Sequence, residues 1–205
     1  MEKDAALLIV DVQNDFCPNG ALSVADGGLV IDPLNRAAER FAAAGLLVLA
    51  SRDWHPPVTR HFTQYGGPWP PHCVQGTPGS DFHPGLRLPA DTIVISKGID
   101  PERDSYSVFE ATTEQGESLE ELLARLEVQH LYIGGLATDY CVRTSALDAL
   151  RLDFAVTVLT DAVAGVDVHP GDSTRALEEM ELAGAQLSTV ASGISSIGDQ
   201  KRHGR

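Results

Sequence analysis

Short hydrophobic runs alternate along the chain with longer segments in which apolar residues recur at helical spacing. Each run is largely apolar, which is typical of parallel strands that are buried on both faces. Six runs predict strands, at residues 5–10, 46–50, 92–96, 130–134, 155–159 and 186–190. Because a run supplies one strand, the pattern predicts a sheet of about six strands.

Four segments between the runs predict helices, at residues 32–44, 118–126, 140–150 and 172–183. Ser118 and Glu121 form a capping-box pattern at one helix start, and Gly45 and Gly184 follow two helix ends as C-cap residues. Strands that alternate with helices predict an α/β fold with a mostly parallel sheet. We expect a single domain over residues 1–205, with a polar, frayed tail at 192–205.

The amino-acid composition limits which kinds of protein and which binding partners are compatible with this chain. The content of 43% hydrophobic and 21% charged residues is ordinary for a globular protein. A net charge of −14 argues against binding to nucleic acid or to an anionic membrane. Three cysteines are too few for a disulfide framework, and the apolar run before Asp11 is too short for a signal peptide or a membrane span. We therefore expect a cytoplasmic protein, as a monomer or a homo-oligomer.

Reactive side chains follow the predicted strands at their carboxyl ends, where sheets of this kind bind ligands. Asp11 follows the first run, Asp53 the second and Lys97 the third. Cys141 follows the fourth run at a helix start, where free N–H groups and the helix dipole favour a thiolate. Each residue alone has an ordinary explanation, as a capping carboxylate, a solvated lysine or a core cysteine. Together they indicate a catalytic site, with Cys141 as nucleophile and Asp11 as its base.

A loop rich in Pro and Gly follows the second predicted strand and contains Asp53, His55, His61 and His72. Its length and its aromatic residues indicate an ordered, functional loop. Imidazole and carboxylate are the ligands that borderline divalent metals prefer, and the spacing of Asp53 and His55 puts both on one side of an extended chain. The cluster therefore favours a divalent metal site over three unrelated histidines.

Several motifs occur in a fixed order along the chain. They are Asp11-Val12-Gln13-Asn14-Asp15-Phe16, Asp53-Trp54-His55, His61-Phe62, Trp69-Pro70-Pro71-His72-Cys73, Ser96-Lys97-Gly98 and Gly135-Leu136-Ala137-Thr138-Asp139-Tyr140-Cys141-Val142. Together they resemble the nicotinamidases (pyrazinamidases) of the isochorismatase-like superfamily of cysteine hydrolases. The first and last motifs mark the superfamily, and the motifs of the histidine loop mark its metal-bearing amidase branch. The resemblance extends over residues 5–190 and implies a three-layer α-β-α fold.

This resemblance implies an amidase that hydrolyses nicotinamide, or pyrazinamide-like carboxamides, to the acid and ammonia through a cysteine thioester. By position it assigns the catalytic triad to Asp11, Lys97 and Cys141. It places an oxyanion hole at the backbone N–H groups of Ala137 and Cys141, and it implies a cis peptide bond between Leu136 and Ala137.

The same resemblance assigns one divalent metal ion to Asp53, His55, His61 and His72. The donor set suits zinc first, with iron or manganese as alternatives. Four protein ligands close a tetrahedral zinc site, whereas the resemblance implies a more open site that the pyridine nitrogen of the substrate reaches. Three further side chains match positions that line the aromatic pocket of the family, namely Phe16, Trp69 and Tyr106.

Two other classes of function stay open at this point. One is a different carboxamide or isochorismatase-type hydrolase on the same scaffold, for which the triad would be unchanged. The other is a non-catalytic metal-binding or redox-sensing protein with Cys141 as its sensor thiol. A sensor needs no paired acid and lysine, so the set of Asp11, Lys97 and Cys141 counts against it.

Overall fold

The protein is built around one six-stranded parallel sheet. The computed structural model describes residues 4–195 and residue 197. The strands are β1 (Ala5–Val10), β2 (Leu47–Asp53), β3 (Ile93–Lys97), β4 (His130–Leu136), β5 (Ala155–Ala164) and β6 (Gln186–Ser188). Their order across the sheet is β3-β2-β1-β4-β5-β6, and every pair is parallel. This arrangement confirms the predicted α/β class and strand number.

Helices cover both faces of the sheet, which makes the fold three-layered. They are α1 (Ile31–Ala44), α2 (Leu119–Arg125), α3 (Arg143–Arg151), α4 (Asp172–Leu182) and the short α5 (Val190–Gly193). Side chains of β1 alternate between the layers: Leu7 and Ile9 pack in the cluster that includes α1 and α5, and Leu8 and Val10 in the cluster that includes α2, α3 and α4. Both faces of β1 are therefore buried, as its continuous apolar run predicts.

Several strand ends differ from the prediction. β2 extends through Ser51 and Arg52 to Asp53, and β5 continues to Ala164. Hydrophobicity misses these extensions because polar residues begin them. The hydroxyl group of Ser51, for example, is buried and donates a hydrogen bond to Asp11 Oδ1. The predicted start of helix α2 is confirmed, with both hydrogen bonds of the capping box between Ser118 and Glu121.

The predicted frayed tail, 192–205, falls largely outside the described residues. Its first residues are packed instead, because α5 ends at Gly193 and the side chains of Ile194 and Ile197 are buried. Arg40 of α1 donates a hydrogen bond of 2.6 Å to the carbonyl of Ile197. Within the part of the chain that the structure describes, no helix is long and apolar enough to cross a membrane.

The order of the strands determines where a site can form. β1 has β2 on one side and β4 on the other, so the chain winds away from β1 in both directions. Loops at the carboxyl ends of two such strands diverge and leave a crevice. Asp11 follows β1 at this crevice, and Ala137 follows β4.

Candidate active site and metal centre

Asp11 lies directly after β1 with a left-handed backbone conformation (φ 49°) and is fully buried. Its Oδ1 atom accepts a hydrogen bond of 2.7 Å from the hydroxyl group of Ser51, on the neighbouring strand β2. Its Oδ2 atom lies 2.9 Å from the Nζ atom of Lys97. The carboxylate is thus held between a neutral donor and a cation.

Lys97 ends β3 in register with Asp53, which ends β2. Its ammonium group is buried, and it contacts both carboxylates and the sulfur atom of Cys141, with Nζ to Sγ at 3.4 Å. Burial alone would lower the pKa of Lys97, but Asp11 and Asp53 outweigh it and hold that pKa well above its ordinary value. Lys97 is therefore a permanent cation that joins the three other groups.

The sequence predicts that Cys141 lies in the first turn of an α-helix, but the structure differs. Cys141 lies in a π-helical turn over Thr138–Val142, which precedes α3. The turn is closed by a 3.1 Å hydrogen bond from the amide of Val142 to the carbonyl of Ala137. Single turns of this kind are frequent at functional sites. Here the wider turn puts the sulfur atom against Lys97, inside the crevice.

The protonation of this cluster also differs from the expected thiolate. Burial is the largest effect on Cys141 and raises the pKa of the thiol well above its ordinary value, although Lys97 acts to lower it. Burial likewise raises the pKa of Asp11, against the influence of Lys97. Two carboxylates share one ammonium group here, so no positive charge is left over to stabilise a thiolate. Burial therefore favours the neutral thiol over a thiolate, and the raised pKa makes the Asp11 carboxylate a better proton acceptor.

The three loop histidines come together beside the Asp11–Lys97–Cys141 cluster. One ring nitrogen from each of His55, His61 and His72 lies within 4.8 Å of the other two. In each ring the Nδ1 atom already has an oxygen atom as its hydrogen-bond partner. The partners are the Gly98 carbonyl for His55 at 3.1 Å, the Asp104 carboxylate for His61 at 2.7 Å and the Pro70 carbonyl for His72 at 2.7 Å. The Nε2 atoms are therefore the ones available as metal ligands.

This cluster fits a divalent metal ion. The Nε2 atom of His55 is buried and has no hydrogen-bond partner among the described residues. Burial lowers the pKa of His72 to about 4 and lowers that of His61, so both rings are neutral near pH 7, as metal ligands must be. Three imidazole side chains with Nε2 available are donors that suit zinc.

Asp53 connects the two clusters. Its Oδ1 atom contacts Lys97, whereas Oδ2 faces the histidines, 3.7 Å from Nε2 of His55 and 4.0 Å from Nε2 of His72. Burial acts to raise its pKa, but Lys97 and the histidines hold that pKa below its ordinary value. An ionised carboxylate that faces two of the three imidazoles lies where the predicted fourth ligand is expected.

The residues after Asp11 hold the histidine loop in place. The side-chain amide of Gln13 pairs with both backbone groups of Asp53, each at 2.8 Å. Asp15 accepts a 2.7 Å hydrogen bond from the amide of Cys73, which directly follows the histidine at 72. This motif is therefore structural, and it joins the position of Asp11 to that of the metal cluster.

A pocket opens onto both clusters, and its surface is mainly apolar. It contains the three predicted pocket residues, of which Trp69 donates a 2.9 Å hydrogen bond from Nε1 to the hydroxyl group of Tyr106. Its lining is Phe16, Leu22, Asp53, His61, Trp69, His72, Ser105, Tyr106, Ala137, Tyr140, Cys141 and Val166. Such a pocket suits a flat aromatic ring whose reactive group faces Cys141.

Sequence reasoning missed Leu22, Ser105, Tyr140 and Val166 as pocket residues. Ser105 and Tyr140 had a signal, because each directly precedes a residue that was predicted. The rings of Tyr140 and Trp69 meet edge to face at 5.1 Å, which closes one side of the pocket. Leu22 and Val166 had no signal, since both lie in loops outside the motifs.

Comparison with known proteins agrees with this architecture. The Isochorismatase domain family matches residues 5–192 of the chain. The chain belongs to the isochorismatase family. Among members of this family, a nicotinamidase of Escherichia coli (strain K12) is 42% identical over 202 residues, covering 91% of this chain and 95% of the relative. The nicotinamidase/pyrazinamidase of Mycobacterium tuberculosis is 43% identical over 189 residues, covering 89% and 97%.

A solved structure shows the same fold. It is the crystal structure of a pyrazinamidase of Pyrococcus horikoshii in complex with zinc, which has a TM-score of 0.84 and 45% sequence identity and covers 91% of this chain and 99% of that one. The cis peptide bond that the resemblance to this family implies is present between Leu136 and Ala137. Ala137 and Cys141, whose backbone N–H groups are the predicted oxyanion hole, both line the pocket.

Proposed function

We propose that the protein is a metal-dependent amidase that hydrolyses nicotinamide, and pyrazinamide-like carboxamides, to the acid and ammonia. The observation that carries the proposal is the contact of one buried lysine with Asp11, Asp53 and Cys141, at the floor of a mainly apolar pocket. Relatives of 42–43% identity over most of the chain bear the name nicotinamidase, and this supports the choice of substrate.

In the proposed mechanism Asp11 takes the thiol proton of Cys141 as the sulfur attacks the carboxamide carbon. The Asp11 carboxylate and the Cys141 sulfur lie within 4.8 Å of each other, and long catalytic contacts of this kind often tighten when the substrate binds. The negative oxygen of the tetrahedral intermediate accepts hydrogen bonds from the amides of Ala137 and Cys141. Asp11 then returns the proton to the leaving nitrogen, which departs as ammonia and leaves a thioester.

Hydrolysis of the thioester again uses Asp11 as a base and then as an acid. Asp11 takes a proton from water, the hydroxide attacks the thioester carbon, and Asp11 returns the proton to the Cys141 sulfur as the carboxylic acid and the thiol are released. Lys97 stays protonated throughout, because its raised pKa prevents it from acting as a base. Its function is to hold Asp11, Asp53 and Cys141 together and to offset the buried negative charge.

The metal ligands in this proposal are Asp53, His55, His61 and His72, and zinc is the expected ion. Support for zinc comes from the cluster of three imidazole side chains and from the zinc complex of the Pyrococcus horikoshii relative. When bound, the ion would supply a positive charge and a coordination position. The ring nitrogen of the substrate could bind there, and this would orient the ring. The pocket residues Phe16, Trp69 and Tyr106 then enclose the ring.

The rival classes are less well supported. A redox sensor needs a thiol that oxidants reach and that ionises readily, whereas Cys141 is buried and has a raised pKa. A hydrolase for another carboxamide shares the triad, so only the pocket separates it from a nicotinamidase. An aromatic, mainly apolar pocket favours a planar ring over a highly charged substrate such as isochorismate.

The test is ammonia release from a panel of amides by the zinc-loaded protein. We expect turnover of nicotinamide and pyrazinamide, and slower turnover of benzamide, which lacks the ring nitrogen. Removal of the metal with a chelator should lower activity reversibly. If the zinc-loaded protein released no ammonia from nicotinamide but hydrolysed another amide, the proposed substrate would be wrong.

We further propose that the chain is a single hydrolase domain that works in the cytoplasm, in NAD salvage. The family match over residues 5–192 and the single sheet support one domain. The cysteines Cys17, Cys73 and Cys141 are all unpaired, which suits a reducing compartment.

A further inference from the structure

The loop that follows β3, residues 98–104, crosses the histidine loop and contacts it in several places. The carbonyl of Pro101 accepts hydrogen bonds from the amide of Arg60 at 2.9 Å and from the hydroxyl group of Thr59 at 3.2 Å. Glu102 pairs with the Arg60 guanidinium group at 2.8 Å, on the exposed side of the crossing. These contacts fix the backbone directly before residue 61.

Two residues of this β3 loop reach histidine rings. The Gly98 carbonyl lies 3.1 Å from Nδ1 of His55, and a Cβ atom at Gly98 would stand only 2.5 Å from that ring. At the other end of the loop Asp104 Oδ1 lies 2.7 Å from Nδ1 of His61. The His61 side chain is 4% exposed, and that of Asp104 is 49% exposed.

The three histidines differ in what orients them. His55 and His72 are oriented by the backbone carbonyls of Gly98 and Pro70. The hydrogen bond on His61 Nδ1 comes from a side chain, Asp104. An imidazole that donates its Nδ1 hydrogen to a carboxylate presents the lone pair of Nε2 outwards, and it becomes a stronger ligand.

We propose that Asp104 is a positioning residue for the metal, because its carboxylate holds the His61 ring with Nε2 towards His55 and His72. This inference rests on the proposed metal site and adds to it a residue that touches neither the substrate nor the ion. Since Ser105 and Tyr106 follow directly and line the pocket, Asp104 also joins the metal cluster to the pocket wall.

The experiment measures zinc affinity by competition with a chromophoric chelator at constant pH, for purified proteins stripped of metal. Asp104→Ala should weaken zinc binding about 10–100-fold, the usual cost of removing a residue that orients a metal ligand. Asp104→Asn should lose less, since its amide oxygen still accepts from Nδ1. Glu102→Ala is the matched control: it removes a carboxylate from the same loop that pairs with Arg60 and has no histidine contact among the described residues, and it should leave affinity within about two-fold of the wild type.

A double-mutant cycle with His61→Ala identifies the route of the effect. If Asp104 acts through His61, the double variant should bind zinc no more weakly than His61→Ala alone. Additive losses, wild-type affinity in Asp104→Ala, or equal losses in Asp104→Asn and Asp104→Ala would each overturn the proposal. Thermal unfolding of the metal-free variants checks that the fold is retained. Zinc binding by the wild type tests the metal site itself, and neither measurement depends on turnover of nicotinamide.

Discussion

Replacing Asp11 with Asn separates the role of the proposed base from that of a structural group. The amide keeps the size of the side chain and can still accept the 2.7 Å hydrogen bond from Ser51. It cannot take a proton from Cys141. General-base and general-acid assistance contributes about 10²–10⁴-fold, so turnover should fall by that factor, which corresponds to about 3–5 kcal/mol in the barrier.

The same substitution should not destabilise the fold. In the wild type two buried carboxylates face one ammonium group, Lys97, whereas Asp11→Asn leaves one carboxylate for one ammonium group. Removing the surplus buried charge offsets the lost ion pair. We therefore expect a urea midpoint equal to or above that of the wild type, together with the loss of activity.

The assay is ammonia release from nicotinamide, with urea unfolding measured on the same preparations. Turnover within about ten-fold of the wild type would refute the argument, because another group would then have to be the base. Ser51→Ala provides a graded test. The Ser51 hydroxyl group lowers the pKa of Asp11, and the base must be deprotonated to act. Its removal should therefore move the acid limb of the kcat/KM profile to higher pH.

Three further predictions concern Cys141 and the histidines. Cys141→Ala should abolish hydrolysis and retain the fold, whereas Cys17→Ala, at another buried cysteine, should retain most activity. Residual turnover above a few per cent of wild type in Cys141→Ala would exclude the thioester. His55→Ala should lower zinc content and turnover together, as measured by metal analysis, whereas His83→Ala, outside the cluster, should change neither. Burial lowers the pKa of His72 from 6.5 to about 4, so the metal-free protein should lose about 3 kcal/mol of stability as pH falls through this interval. In urea titrations at several pH values, His72→Gln should show a shallower decline of stability than the wild type.

The sequence predicts the strands well because their hydrophobic runs are buried on both faces, as in β1. It also places Asp11, Lys97 and Cys141 at one edge, since parallel strands bring their carboxyl ends together. The π-helical turn at Cys141 is not predictable in this way, because the apolar pattern of α3 continues through it.

Contacts between loops are the part that pattern analysis does not reach. Asp104 lies in a polar stretch without periodicity, and only the folded chain brings it to His61. The protonation of Cys141 depends on how many charges share Lys97, which is a property of three-dimensional proximity. Local helix position predicts a thiolate, whereas burial and two carboxylates raise the thiol pKa.

The row of strands β3-β2-β1-β4 has a consequence for the way the molecule folds and inactivates. Each of these strands leads to one member of the cluster around Lys97. β3 ends at Lys97, β2 ends at Asp53, β1 is followed by Asp11, and β4 is followed by the turn that contains Cys141. Detachment of any one strand would disperse the cluster, so partial unfolding of the central sheet cannot leave a partly active species. Formation of the cluster requires contacts between residues that are distant along the chain, and such contacts slow folding. Recovery of activity after dilution from denaturant should therefore report completion of these four strands.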